Sequence, residues 1–336
     1  MKGFAEFIAS EYFKAGEKTA LIICGPTASG KSALSEELCG LIGGEIVSCD
    51  SMQIYRMMDI GTAKPTASER EACRYHMIDI ADPWENYSAY MYKQTAATVI
   101  DDIFGRSKVP VICGGTGLYV NALIDNREYS EEPEDFVFDE KLREDKELSI
   151  KLFNENDRPG LHLMLEKYDP EAAGVIHQNN VKRVFRALTL YFSTGKTRDV
   201  RNKESLANEA DINYLTFGLF PERNELYEKI NARVDIMREK GLSKEVEKVY
   251  SACRDHLPAA EVESLDILKY TALSAIGYKE LIPYLDFPEL KPLNAEGFSV
   301  DSDILFDRIK QDTRQYAKRQ ITWFKRTPGL IPLCPS

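Results

Sequence analysis

Eight consecutive residues constrain this chain more than any others: Gly25-Pro26-Thr27-Ala28-Ser29-Gly30-Lys31-Ser32, a complete G-x-x-x-x-G-K-[ST] motif. An apolar run at 20–24 precedes it and a helical pattern at 33–41 follows, so the motif falls on a strand-to-helix turn. Glycines at both ends let the backbone wrap an anion with its N–H groups, and the helix that follows adds positive potential at its N-terminus. Lys31 neutralises phosphate charge and Ser32 offers a hydroxyl to Mg2+. The expected ligand is a diphosphate or triphosphate, a nucleotide included; the motif leaves open what carries the phosphates.

Short apolar runs bounded by turn residues recur at 20–24, 45–48, 76–80, 109–113 and 214–220, with helical stretches between them. That alternation predicts an α/β fold, a P-loop parallel sheet core flanked by helices. Residues 127–213 read differently. They begin acidic (Glu128, Glu131, Glu132, Glu134, Asp135), hold no convincing strand, and are expected to form an inserted all-helical domain that splits the catalytic core into 1–126 and 214–336. The clearest helix there is 180–193, where Val181, Val184, Phe185, Leu188 and Phe192 recur at three- and four-residue spacings and Gly195 supplies the stop. Further helices are expected at 223–240, ended by Gly241, at 270–284, and at 303–325.

Two more chain segments bear on the edge of the sheet where ligands bind. The second strand runs into Ser48-Cys49-Asp50-Ser51-Met52-Gln53-Ile54-Tyr55, then Asp59-Ile60-Gly61-Thr62-Ala63-Lys64-Pro65, which puts Asp50 at the carboxyl edge. A carboxylate there serves equally as a general base, a helix cap or an acid in a Mg2+ shell. The fourth strand ends in Cys113-Gly114-Gly115-Thr116-Gly117, where paired glycines allow close backbone approach and Thr116 offers a hydroxyl, either to a ligand or as a cap. No apolar run ends in the D-E or D-x-x-G of a hydrolytic switch, which points away from a nucleotide hydrolase.

With 43 Lys+Arg against 54 Asp+Glu the net charge is -11, so a polyanionic partner must be met by a local basic face. Two such faces exist. Residues 308–326 hold Arg308, Lys310, Arg314, Lys318, Arg319, Lys325 and Arg326 against one acid, Asp312, interleaved with Tyr316, Trp323 and Phe324. That mixture suits phosphate contact with base stacking. The second face, Lys182, Arg183, Arg186, Lys196, Arg198 and Arg201, lies in the insertion. Either alone reads equally as a solvated helix face; together with the phosphate loop they suggest a long polyanion laid across the site. The seven cysteines form no C-x-x-C pair and no disulfide framework, the first residues lack a secretory apolar core, and no stretch is apolar enough to span a membrane. A cytoplasmic location is expected.

Taken in order, GPTASGKS, SCDSMQIYRMMDIGTAKP, ICGGTGLYV, NNVKRVFRAL with FSTGK, INARVDIM, AIGYKEL and TRQYAKRQITWFKR resemble the tRNA dimethylallyltransferase family, also called tRNA isopentenyltransferases, from about residue 21 to 326. The resemblance implies transfer of a dimethylallyl group from dimethylallyl diphosphate to N6 of the adenosine 3′ of the anticodon, with Mg2+, the phosphate loop holding the donor's diphosphate. Carried over by position, Asp50 is the base on the adenine amine, Thr116 a hydroxyl contact at the reaction centre and Arg233 a diphosphate ligand. The same resemblance implies contacts with the tRNA anticodon stem-loop from Asp50, Ser51, Met52, Gln53 and Thr116, from Arg143 as a weaker match, and from Lys182, Arg183, Val184, Phe185 and Arg186. It adds Ser274, Gly277, Tyr278 and Lys279, then Lys318, Arg319, Gln320, Trp323 and Lys325. The chain lacks the zinc-finger ligands that eukaryotic members often append and looks like the bacterial form, expected as a monomer. Two competing readings stay open. A P-loop kinase with Asp50 as base leaves both basic faces unexplained, and a noncatalytic RNA-binding module leaves Lys31, Ser32, Asp50 and Thr116 without a task.

Overall fold

Six strands form one sheet in which every pairing is parallel: β1 (Thr19–Cys24), β2 (Gly44–Ser48), β3 (Tyr75–His76), β4 (Val109–Gly114), β5 (Asn213–Leu219) and β6 (Ile331–Leu333), in the spatial order β3-β2-β4-β1-β5-β6. The computed structural model describes residues 1–13, 18–124, 140–205, 212–263, 266–286 and 302–334. All six residues of β1 are buried, because the strand is sandwiched between β4 and β5 and covered on both faces. Its side chains alternate. Ala20, Ile22 and Cys24 pack with the helices Ala89–Gly105 and Gly117–Ile124 through Tyr92, Ala96, Ile100 and Val120. Leu21 and Ile23 face the other way, onto Ala5 and Ile8 of Lys2–Glu11 and Leu34 and Leu38 of Lys31–Ile42. Each fully buried aliphatic side chain contributes about 1.5–3 kcal/mol, so these two layers hold the carboxyl edge rigid beneath the loops it carries.

A third core joins Arg223–Glu239, Leu242–His256 and Asp303–Phe324 to the segment after β2, through Tyr55, Val234, Val246, Tyr278 and Phe306. These elements belong to one compact unit, Met1–Ile124 with Asp211–Ser336. The second unit, Asp125–Ala210, is helical throughout its described residues: Glu140–Asn154, Arg158–Tyr168, Pro170–Val175, Val181–Thr194 and Arg198–Ser205. Leu161, Leu165, Val184, Leu188 and Phe192 make its core. Gly195, at φ 66°, stops Val181–Thr194 as its sequence pattern predicts. Asp169 is buried and ties two helix starts together, accepting from Ala172 N at 3.1 Å and Arg198 N at 2.7 Å. The acidic stretch expected at 128–135 lies outside the described residues.

Three sequence expectations need adjustment. The third strand is the pair Tyr75–His76 rather than 76–80, because Met77 and Asp79 take positive φ values of 61° and 57° and leave the extended conformation. Of the helix expected at 270–284, residues 270–282 form turns, with Gly277 at φ 96°, between a 3-10 turn Asp266–Lys269 and a short helix Pro283–Asp286. β6 was not expected: three residues with a proline at their centre carry no periodicity, and Pro332 is tolerated because the strand lies at the sheet edge. All seven cysteines are free thiols, six of them buried and Cys334 exposed. Among the described residues no helix is long and apolar enough to cross a membrane.

Candidate active site

The phosphate loop leaves β1 through backbone conformations that L side chains rarely adopt, Gly25 at φ 146°, Ala28 at 61° and Gly30 at 90°. Glycine at 25 is also forced by packing, since a Cβ there would stand 2.5 Å from the Leu219 carbonyl oxygen. Lys31 Nζ donates to the Pro26 carbonyl at 2.6 Å, curling the lysine over its own loop. The Thr27 N–H donates to Gln320 Oε1 at 2.9 Å. Burial holds the Lys31 pKa below its ordinary value; the neighbouring Arg233 pushes the same way, while the Cys113 thiol and Asp50 oppose them. Arg233 is likewise lowered by burial and opposed by Asp50. Two cations and one carboxylate therefore share this space, and among the described residues neither cation has a carboxylate at ion-pair distance.

Asp50 is held where β2 ends. Its Oδ1 accepts the Met52 N–H at 2.9 Å, a local turn that fixes the side chain and leaves Oδ2 outside that bond. Thr116 Oγ1 accepts the Ser51 N–H at 2.9 Å and donates to Ser51 Oγ at 3.3 Å, and the Thr116 N–H donates to the Cys49 carbonyl at 3.2 Å. The ends of β2 and β4 are thus sewn together. A Cβ at Gly114 would lie 2.0 Å from the Cys49 oxygen, and one at Gly115 2.3 Å from Gln320 Nε2, so the glycine pair serves this approach. Gln53 spans outward: Ser48 Oγ donates to its Oε1 at 2.9 Å, and its Nε2 donates to the Thr62 and Ala63 carbonyls at 3.4 and 3.3 Å.

The segment from Asp59 to Pro65 receives its shape from remote residues. Glu245 accepts the backbone N–H groups of Asp59, Ile60 and Gly61 at 2.8, 2.7 and 2.9 Å, and the Tyr278 hydroxyl donates to the same carboxylate at 2.6 Å. Gly61 is needed because a Cβ would stand 2.5 Å from the Tyr278 ring. Lys64 is buried and donates to Tyr55 O, Asp59 and Asp79 at 2.6, 2.8 and 2.6 Å.

A cavity of about 1240 Å3 opens between these loops, walled by Thr27, Lys31, Ser32, Asp50, Arg233 and Gly115, with Met52, Ile60, Val234 and Met237 as apolar lining. Of the residues singled out in the sequence it also collects Ser51, Gln53, Ser274, Gly277, Lys279, Arg319 and Gln320. Thr116 lies outside its wall and acts on it through Ser51. Gly25, Pro26, Ala28, Ser29 and Gly30 shape the phosphate loop from behind. Lys318, Trp323 and Lys325 are exposed on the outside of their helix, the Trp323 indole donating to Asn121 Oδ1 at 3.2 Å. Lys279 is paired with Asp312 at 2.9 Å and Glu280 at 3.1 Å. In the helical unit Arg143, Lys182, Arg183 and Arg186 are exposed, and Phe185 stacks on Phe153 with ring centroids 4.3 Å apart.

Two side chains that the resemblance assigned to tRNA contact, Tyr278 and Val184, point into the interior. Both are fully buried, Tyr278 in the core behind the Asp59 loop and Val184 in the helical unit, where apolar packing and not a surface ligand explains them. Sequence reading gave no role to Glu245 or Lys64, and gave Tyr316 only a place among the aromatics suited to base stacking. Tyr316 lines the cavity, touches Thr116 and Gln320, and has its hydroxyl pushed up to about 12 by burial.

A phosphate loop at the carboxyl edge of a parallel sheet, two cations without a carboxylate at ion-pair distance among the described residues, and a fixed carboxylate on the same cavity define a P-loop protein with a site fit for a phosphate-bearing ligand. Comparison with known proteins makes this specific. The family model for IPP transferase matches residues 53–327, and that for isopentenyl transferase matches 18–82. The tRNA dimethylallyltransferase of Acetivibrio thermocellus is 42% identical over 306 residues, 91% of this chain and 88% of that protein, and that of Bacillus subtilis is 40% identical over 309 residues, covering 92% and 88%. The crystal structure of the full-length tRNA isopentenylpyrophosphate transferase of Bacillus halodurans superposes with a TM-score of 0.63 at 36% identity, covering 95% of this chain and 90% of that one. A eukaryotic dimethylallyltransferase captured acting on tRNA gives a TM-score of 0.76 at 28% identity, over 95% and 74% of the two chains. The chain belongs to the tRNA dimethylallyltransferase family.

Proposed function

We propose that this chain transfers a dimethylallyl group from dimethylallyl diphosphate to N6 of the adenosine 3′ of the anticodon in tRNA, releasing diphosphate. The observation that carries the reading is Asp50, fixed on the same cavity as the unpaired Lys31 and Arg233. The exocyclic amine of adenine is a poor nucleophile. Asp50 accepts its hydrogen bond and then its proton as the C–N bond forms. On the other side of the allylic carbon the C–O bond breaks, and the electron pair leaves with diphosphate. Lys31, Arg233 and the loop amides stabilise that charge in a partly desolvated site, where such donors act most strongly. The apolar wall from Met52 to Met237 suits the prenyl group and excludes water from the allylic cation.

Ser32 is exposed at the head of the phosphate-loop helix and lines the cavity, which suits it to hold Mg2+ together with diphosphate oxygens. Bound there, Mg2+ supplies positive charge to the leaving group. The target base sits in a stacked loop and must be turned out to reach Asp50, with the exposed Lys318, Arg319, Trp323 and Lys325 on one unit and Lys182, Arg183 and Arg186 on the other serving the tRNA backbone and bases. A cytoplasmic location is compatible with a tRNA substrate.

The test is to incubate the protein with Mg2+, dimethylallyl diphosphate and unmodified tRNA whose anticodon is followed by three adenosines, then weigh the digested nucleosides by mass spectrometry. N6-dimethylallyl-adenosine is the expected product, absent with Asp50→Ala although that variant still binds tRNA. No product, with ATP consumed on a small hydroxyl acceptor, would replace this reading with the kinase.

A further inference from the structure

The helix Asp303–Phe324 carries exposed basic and aromatic side chains outward and one amide inward, Gln320, which is 6% exposed. Its Oε1 accepts the Thr27 N–H of the phosphate loop at 2.9 Å, and its Nε2 donates to the Gly115 carbonyl at 2.8 Å. The partners fix which end is which: an N–H demands the amide oxygen, a carbonyl the nitrogen. Both contacts are to backbone, 293 and 205 residues away in sequence. One of them belongs to the loop that holds Lys31. The other belongs to the turn that, through Thr116 and Ser51, holds Asp50.

We propose that Gln320 is a positioning residue that sets the separation between the donor loop and the Asp50 turn, and that it is not a tRNA contact. This rests on the reading that the donor's diphosphate occupies the phosphate loop. A primary amide has a donor and an acceptor on one flat, uncharged group, so it can clamp an N–H and a carbonyl at once without adding charge beside the leaving diphosphate. Gly115 completes the clamp, because any Cβ there would displace the amide nitrogen. Lys318, Arg319 and Trp323 on the same helix are exposed, on the side open to nucleic acid. The helix thus divides its labour by face.

The experiment compares wild type, Gln320→Ala, Gln320→Glu and Lys31→Ala in three measurements: kcat and KM for dimethylallyl diphosphate, binding of inorganic diphosphate by calorimetry, and tRNA affinity by filter binding. A shift of about 1 Å between reacting groups costs about 10²-fold in rate, so Gln320→Ala is expected to lose about that in kcat while its tRNA affinity stays within about twofold. Gln320→Glu keeps an acceptor for Thr27 but turns a carboxylate oxygen on the Gly115 carbonyl. Its kcat relative to wild type is expected to recover as pH falls and that carboxyl gains a proton to donate. This readout decides the matter if Gln320→Ala does not fold. A tenfold loss of tRNA affinity at unchanged kcat would make Gln320 a tRNA contact and overturn the proposal, as would wild-type kcat in Gln320→Ala or a Gln320→Glu rate without pH recovery. If Lys31→Ala loses diphosphate binding while Gln320→Ala behaves as wild type, the clamp alone fails. If wild type binds no diphosphate, the clamp and the donor reading fail together.

Discussion

Lys31 and Lys64 stand on the same cavity and are partnered in opposite ways. Lys64, its side chain 1% exposed, is saturated by a carbonyl and the carboxylates of Asp59 and Asp79, and Arg70 completes the set by bonding Asp79 at 3.0 Å. Lys31 meets a single carbonyl and no carboxylate among the described residues, and burial lowers its pKa. A desolvated ammonium without a counter-ion is costly unless a ligand supplies one. The fold neutralises one lysine to build a loop and keeps the other uncompensated to receive an anion.

Removing either lysine's charge separates the two roles. Lys31→Met is expected to lower kcat/KM for dimethylallyl diphosphate by about 10²–10³-fold, the size seen when one donor to a developing anion is removed, while leaving the urea midpoint unchanged or higher. Lys64→Met should do the reverse, costing about 3 kcal/mol in urea unfolding because Asp79 loses its buried partner, with turnover per folded molecule within a few-fold. Equal losses of stability in the two variants would erase the distinction.

Much of this contrast was hidden in the sequence. The phosphate loop was legible because its ligand-binding groups are contiguous and its flanks are a strand and a helix. β1 and β4 were legible because a strand buried on both faces is predominantly apolar, and β2 and β5 because each carries a shorter apolar run bounded by turn residues. What escaped depends on residues far apart: Glu245 reaches Asp59 across 186 positions and Gln320 reaches Thr27 across 293, distances over which no periodicity survives. Thr116 bonds Ser51 through its hydroxyl, a partner that only the approach of β2 to β4 brings within reach. Tyr278 and Val184 were drawn in with neighbours that resemble tRNA-contacting stretches; burial of alternate helical or turn positions separates them from those neighbours.

The pH dependence sharpens the comparison further. Between its lowered native pKa and the ordinary lysine value of 10.5, Lys31 binds fewer protons in the folded chain than in the unfolded one, so its contribution to stability rises with pH through that window. The penalty of charging it in place is present below the window and relieved above it. Diphosphate affinity should move the opposite way, falling as the ammonium is lost. The difference between wild type and Lys31→Met in unfolding free energy against pH measures the slope, and a flat difference would show that Lys31 is compensated after all. The smallest effects belong to the exposed cations. Arg183→Ala and Lys318→Ala should each weaken tRNA binding a few-fold and reduce the slope of log affinity against log salt by about one, irrespective of anticodon sequence. An unchanged slope would return those side chains to solvated surface.

The distribution of thiols turns the chain into its own labelling scaffold. Cys24, Cys39, Cys49, Cys73, Cys113 and Cys253 are buried, and burial raises the pKa of Cys24, Cys49 and Cys253, which keeps thiolate scarce. Cys334 alone is exposed, just beyond β6 at the sheet edge. A maleimide dye added to the native protein at neutral pH therefore marks one site without mutagenesis, and up to six further equivalents taken up on heating count the opening of the core.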